Sequence, residues 1–561
     1  MSASASANGA AAAASAVIAE GRAVLGFELG STRIKACLVG ENPSDVIATG
    51  SHEWQNGLVD GVWTYAIDDV WAGLQSAYAA LVADSRQRHG TAPTSLAAVG
   101  VSAMMHGYLA FDEADELLVP FRTWRNTSTG AAVAELSELF GVNIPLRWSI
   151  AHLHQAVLDG EEHVPRIRHL TTLAGYVHWR LSGERVIGVG DASGMFPIGA
   201  GPIGAGPIGA APTGAAGADY DAALLARYDA AVAGSALATS IRGMLPRVMP
   251  AGATAGILTP AGAALLDPTG ALQPGAALCP PEGDAGTGMV ATNAVAPSTG
   301  NVSAGTSIFA MVVLDRPLSR PHPELDIVAT PAGDPVAMVH CNNGTSELAA
   351  WVGVFRRVAE LAGAPLDADE AYRLLFTEAL DGAADAGGVL AYNQVAGEPI
   401  VHLTEGRPLV VRTPDSRLTL ANTMRAHLYG VVATLSIGMR TLRKEGVTID
   451  RMQAHGGLFR TAGVAQRFLA AALDAPVGVA ESASEGGAWG IAVLASFTAS
   501  GGGDLTAYLD DIVFAGADAA VVSPDVDDVS GFAEYLARYE AGLEVQRRAI
   551  AALTMSEGTA S

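Results

Sequence analysis

Basic residues are scarce in this chain. Of its 561 residues 33 are Lys or Arg against 57 Asp or Glu, a formal net charge of −24, and the cations form no cluster. A nucleic-acid backbone or an anionic membrane surface needs such a cluster, so neither is an expected partner. A nucleotide is still admissible, because backbone amides, a divalent metal and one or two local cations suffice to hold it. Cysteine is nearly absent: Cys37, Cys279 and Cys341 are far apart, odd in number and without metal-ligand spacing. That pattern excludes a disulfide framework and fits buried thiols in a reducing cytoplasm.

Long apolar runs are missing too, since the weakly polar stretch 488–500 is too short and too rich in Ser, Thr and Gly to span a bilayer. The Ala/Ser-rich start has no basic residue before Arg22 and resembles neither a signal peptide nor a membrane helix. Residues 1–21 therefore read as a disordered tail, and 547–561 as a second one. No Walker A pattern, protein-kinase signature set, His-Glu-x-x-His or Gly-x-Ser-x-Gly is present. What remains is half hydrophobic and 16% charged, a globular composition long enough for two or more domains.

The richest stretch runs from Glu282 to Ser307. It places one carboxylate, Asp284, between glycines, where the backbone can turn tightly and approach a ligand. A general base needs that setting, although an Asp beside Gly is most often only a turn residue. Past Pro297, residues 302–313 read as strand, turn, strand, with Gly305, Thr306 and Ser307 at the turn, where N–H groups and hydroxyls can meet phosphate oxygens.

An earlier hairpin repeats the theme. Two apolar runs from Val24 are joined by Gly30-Ser31-Thr32-Arg33, with Glu28 just before the turn and Lys35 just after it. Glu28 can hold Mg²⁺ directly or through water, the turn can reach phosphate, and Lys35 supplies a mobile cation; an ordinary hairpin with a solvated Glu and Lys would read the same. Residues 452–459 read as a strand ending in the diglycine turn Gly456-Gly457, followed by a helix from about 462 to 473, and helix starts attract phosphate. A Gly-Ala-Gly-Pro-Ile pentad repeat over 199–214 formally matches the dinucleotide fingerprint. It has no strand before it and a Pro in every pentad, so it reads as a low-complexity insertion at 198–217.

These segments, in this order, resemble the FGGY carbohydrate kinases, of the fold superfamily shared by actin and hexokinase. The resemblance covers about 24–545 and implies an α/β chain of two lobes, each a mixed sheet flanked by helices, with an N-terminal lobe at 22–297 and a C-terminal lobe at 298–546. It implies ATP and Mg²⁺ as cofactors, Asp284 as catalytic base, and phosphate or nucleotide contacts from Gly30, Ser31, Thr32, Lys35, Gly305, Thr306, Ser307, Gly456, Gly457 and Gly487, the last in the closing helix. The usual Asp-x-Gly-Thr is here Glu28-x-Gly30-Ser31, so the metal role passes to a longer carboxylate.

The Met105-His106-Gly107 loop and the Trp124-Arg125-Asn126 segment resemble those that present an aromatic face and polar groups to the sugar, and Asp191 falls in a segment that closes over it. Met105, His106, Trp124, Arg125, Asn126 and Asp191 are thus the expected substrate contacts. Arg147 stands before Trp148 where relatives carry Lys, and the Arg-Ala-x-x-Glu-Gly of relatives is here Arg425-Ala426-x-x-Tyr429-Gly430, without the Glu. The implied activity is ATP-dependent phosphorylation of a ketopentose terminal hydroxyl, L-ribulose first and D-xylulose as the alternative. A sugar-binding pseudokinase is the reading from another class, motivated by Glu28. A small-molecule sugar and ATP are the expected partners, in the cytoplasm, and a homodimer is compatible with the sequence.

Overall fold

Buried strands with glycines at their contact faces build both halves of the protein. The computed structural model describes residues 12–199, 218–479, 486–516 and 520–553. The pentad insertion lies outside the described residues from 200 on; its flanks, Ile198–Gly199 and Asp219–Tyr220, pair antiparallel with one another.

The first sheet runs Gly256–Ile257, Ala277–Leu278, Ala98–Ala103, Val24–Leu29, Arg33–Val39, Val46–Glu53, with Glu282–Gly283 also paired to Ala98–Ala103. The second runs Asp326–Ala329, Pro335–Cys341, Ile308–Val313, Thr299–Ala304, Arg451–His455, Val477–Val479, Ala520–Val522. Each opens with an antiparallel hairpin whose first strand pairs in parallel with a later one: Val24–Leu29 with Ala98–Ala103, and Thr299–Ala304 with Arg451–His455. This is the two-lobed α/β arrangement expected from the sequence. The central strand Val24–Leu29 is covered on both faces, hence its near-continuous apolar run.

Between the second-sheet strands Val477–Val479 and Ala520–Val522 the chain visits the first lobe, with consequence for the site. The helix Gly486–Ala499 lies against the first sheet and is buried almost all round, which explains its lack of a polar face. Its backbone approaches so closely that a Cβ on Gly26 would lie 2.2 Å from the Ala488 carbonyl oxygen, and one on Gly100 2.7 Å from that of Ile491. Only glycine permits this approach, and it fixes the helix N-terminus beside Glu28.

One apolar cluster joins the lobes, combining Met105, Tyr108 and Ile187 with Met311, Val313, Val328 and Met338. An ion pair from Arg147 to Asp326 and a hydrogen bond from Asn143 Nδ2 to Asp326 Oδ1 at 3.2 Å cross the same junction. No helix among the described residues is long and apolar enough to cross a membrane. All three cysteines are buried and free of disulfides.

Both expected tails are shorter than read from the sequence. Residues 12–19 are helical, with Ile18 buried and Ser15 Oγ donating to His89 O at 3.2 Å; the alanines that made the segment look featureless are strong helix formers once Ile18 has a core to enter. The last helix, Val526–Ala552, likewise runs past residue 546, and Ile550 packs on the second core.

Candidate active site

Strand register gathers the site. Leu29 pairs with Ala103, and Gly283 also pairs with Ala103, so the Gly30 turn, the Met105 loop and Asp284 all leave the first sheet at its carboxyl edge. Ligands of open α/β sheets gather at that edge. In the second sheet Ala304 pairs with Ile308 and Ser303 with His455, which sets the Gly305–Ser307 turn beside Gly456. Gly456, at φ 110°, approaches so closely that a Cβ there would lie 2.2 Å from Ala304 O.

Asp284 is the first residue of the helix Asp284–Ala291 and follows the Glu282–Gly283 strand directly. Its Oδ1 accepts the Met105 backbone N–H at 3.0 Å. Burial pushes this carboxyl up from 3.8 to about 6; the Met105 N–H opposes the rise and the Glu28 charge adds to it. The group retains partial exposure and ionises just below neutral pH, as a general base must.

Behind Asp284 lie two further buried acids. Glu282 accepts the N–H groups of Gly190 and Asp191 at 3.2 and 2.9 Å, in space that exists only because residues 188 and 190 are glycine: a Cβ there would lie 2.1 and 2.5 Å from its oxygens. Asp191 accepts the Thr172 hydroxyl at 2.6 Å while its Oδ1 has no hydrogen-bond partner among the described residues. Burial, then the neighbouring Asp191 charge, pushes Glu282 up to about 8, and burial pushes Asp191 up to about 7. Asp191 is fully buried, next to Gly283. It stands behind Asp284, one step further from the strand ends.

The other expected sugar residues divide. His106 is buried at φ 72° with its ring against Gly194, and burial, then the Arg147 charge, holds it well below the usual histidine range. Trp124 is half-buried, and Arg125 is exposed with its guanidinium 4.7 Å from the Trp63 ring centroid and 5.8 Å from that of Trp124. Asn126 is buried and its amide is committed to backbone: Oδ1 accepts Trp63 N–H at 2.9 Å and Nδ2 donates to Trp63 O at 2.8 Å. It holds Trp63 in place. In the second lobe His340 and Phe309 are half-buried with ring centroids 6.2 Å apart, and burial, then the Arg147 charge, holds His340 down to about 3.

At the Gly30 turn Glu28 lies 3.7 Å from Lys35 Nζ and accepts backbone hydrogen bonds from Gly487 and Ala488 at the start of the helix Gly486–Ala499. Burial raises its pKa, opposed first by Lys35. A Cβ on Gly487 would lie 2.5 Å from Glu28 Oε1, so glycine is required there. Across the cleft His455 is held down to about 4 by burial and by the Lys35 charge. No group of three or more His, Cys, Asp or Glu placed to share a metal exists among the described residues. A single carboxylate such as Glu28 can serve an ion whose remaining ligands are phosphate oxygens and water.

The second turn is braced from behind. Gly305 O accepts both the N–H and the hydroxyl of Thr345 at 2.9 Å, and Thr306 O accepts Gly344 N–H at 2.7 Å. Thr32, Gly305 and Thr306 are exposed.

Two like lobes, each with a glycine turn at the end of its first strand and with the Asp284 carboxyl at a strand end of the first, make the two-lobed actin/hexokinase-like α/β fold. Its family is equally definite. A profile of the FGGY family of carbohydrate kinases, N-terminal domain, matches residues 23–198, and one of the C-terminal domain matches 300–499; the chain belongs to this family. Solved structures agree in fold: a xylulose kinase from Lactobacillus acidophilus (TM-score 0.72, 17% identity, 95% of this chain and 99% of that one), a gluconate kinase from the same organism (0.73, 17%, 95% and 98%), and a glycerol kinase from Plasmodium falciparum with ADP (0.69, 12%, 94% and 98%). None of the curated protein sequences matches the chain.

Proposed function

We propose that the chain transfers the γ-phosphoryl group of ATP to the terminal hydroxyl of a ketopentose, with L-ribulose as first candidate and D-xylulose as the alternative. The observation that carries this reading is Asp284: a carboxylate at the carboxyl edge of the first sheet, held by Met105 N–H and ionised near neutrality. It accepts the hydroxyl proton as the oxygen attacks phosphorus. The Gly30–Thr32 and Gly305–Ser307 turns, with Lys35, take up the charge of the transferring group. Glu28 is the residue that would hold Mg²⁺, which when bound neutralises phosphate charge. Gly456, Gly457 and the Gly487 helix start face the rest of the nucleotide, and Trp124, Arg125 and the Met105-His106 loop face the sugar. Closure of the lobes excludes water as a competing acceptor.

The D-xylulose alternative draws on the solved xylulose kinases of like fold. The test is Asp284→Asn. Nucleotide binding should persist while sugar-stimulated turnover falls by about a hundredfold or more, the scale of a lost general base; unchanged turnover removes Asp284 from the mechanism.

A further inference from the structure

A peptide turn can offer its N–H groups to an anion only if its carbonyls point elsewhere, because in a trans peptide the two are opposed. In the Gly30–Thr32 turn all three carbonyls are taken up on one side. Gly30 O accepts the Trp54 indole N–H at 2.7 Å, Ser31 O accepts the Tyr65 hydroxyl at 2.6 Å, and Thr32 O accepts the Trp54 backbone N–H at 3.2 Å. The opposed N–H groups are those of Ser31, Thr32 and Arg33. Those of Ser31 and Thr32 have no acceptor among the described residues.

Both holding side chains are fixed. Trp54 and Tyr65 are buried and stacked, with ring centroids 4.2 Å apart at 27°, and Tyr65 also packs on Phe121 at 6.5 Å. Buried Trp and Tyr need partners for their polar atoms, and here the partners are the carbonyls of one turn. Tyr65 directly follows the Val62–Thr64 strand, whose Trp63 is gripped by Asn126 and covered by Arg125. The turn is thereby set relative to the sugar-side rim. The second turn is held from behind as well, by Gly344 and Thr345, so tie-back of carbonyls is common to both lobes although the groups differ.

We propose that Trp54 and Tyr65 are positioning residues for phosphoryl transfer, holding back the carbonyls of the Gly30–Thr32 turn so that its N–H groups meet the terminal phosphates of the nucleotide. The proposal rests on the kinase reading above. Neither residue touches substrate; both act through the turn.

The test pairs Tyr65→Phe, which keeps ring stacking and removes one hydroxyl, with Trp54→Phe, which keeps an aromatic ring and removes the indole N–H. In each, kcat/KM for MgATP should fall about fivefold or more, the factor one hydrogen bond supplies, while KM for the sugar stays within about twofold and Tyr65→Phe retains the wild-type Tm. Calorimetric affinity for the Mg²⁺ complex of the imido analogue of ATP, measured without sugar, should weaken in parallel. Unchanged ATP kinetics and analogue affinity in Tyr65→Phe, or an equal loss in sugar KM, overturns the proposal. Wild-type protein that turns over no sugar would instead defeat the kinase reading, and the analogue affinities would still decide the role of the two residues.

Discussion

The ionisation of Asp284 gives the account a quantitative handle. Burial, with the Glu28 charge adding to it, raises this carboxyl from 3.8 to about 6. A general base works only when ionised, so kcat/KM for the sugar should be flat above about pH 7 and fall below 6. At pH 5 roughly a tenth of the free enzyme carries the ionised base, and the rate constant should drop about tenfold. Glu28→Gln removes one cause of the elevation and should move the inflection to lower pH. Stability takes the opposite sign: a carboxyl with a raised folded pKa stabilises the fold while protonated and loses that contribution as pH rises through 6. Asp284→Asn should therefore stabilise the protein at pH 8, on the order of 1–3 kcal/mol after discounting for the partial exposure of the group. The assay is kcat/KM from pH 5 to 8 beside thermal unfolding of wild type and Asp284→Asn. An inflection near 4, or a destabilised Asn variant, would refute the attribution to burial.

Two further outcomes follow from the same site. Glu28→Gln should raise the Mg²⁺ concentration needed for half-maximal turnover; an unaltered Mg²⁺ dependence assigns the metal elsewhere. Asp191 and Glu282, pushed up to about 7 and about 8 by burial, lend stability below their ordinary values and lose it as pH rises through 7 to 8, so Tm should decline from pH 5 to 8 and Asp191→Asn should shrink that decline. Equal declines in both proteins would mean that Asp191 is not charged at the cost of the fold.

Local pattern carried much of this in the sequence. The two hairpins with glycine turns and the helix after the diglycine turn announce themselves through apolar spacing and glycine placement, because their determinants lie within a few residues. Asp284 stood out for the same reason. Tertiary facts did not show. Trp54 and Tyr65 reach the Gly30–Thr32 turn from 24 and 34 residues away, and nothing near them marks the contact. Asp191 sits in a sequence that makes a good turn whether exposed or sealed, and only the packing of Gly283 and Glu282 decides for burial. Arg425 pairs with Asp528, 103 residues on, and its Nη2 also donates to the Tyr429 hydroxyl at 2.8 Å. No window of sequence contains both ends of that ion pair.

The central claim is that the cleft phosphorylates a ketopentose, and ADP release tests it most directly. Purified protein with MgATP would be assayed against L-ribulose, D-ribulose, D-xylulose, L-xylulose, glycerol and gluconate. The account expects sugar-stimulated ADP release with one ketopentose clearly preferred, L-ribulose first. Folded protein that binds nucleotide yet shows no sugar-stimulated release would contradict it, and would turn the same cleft into a binding site.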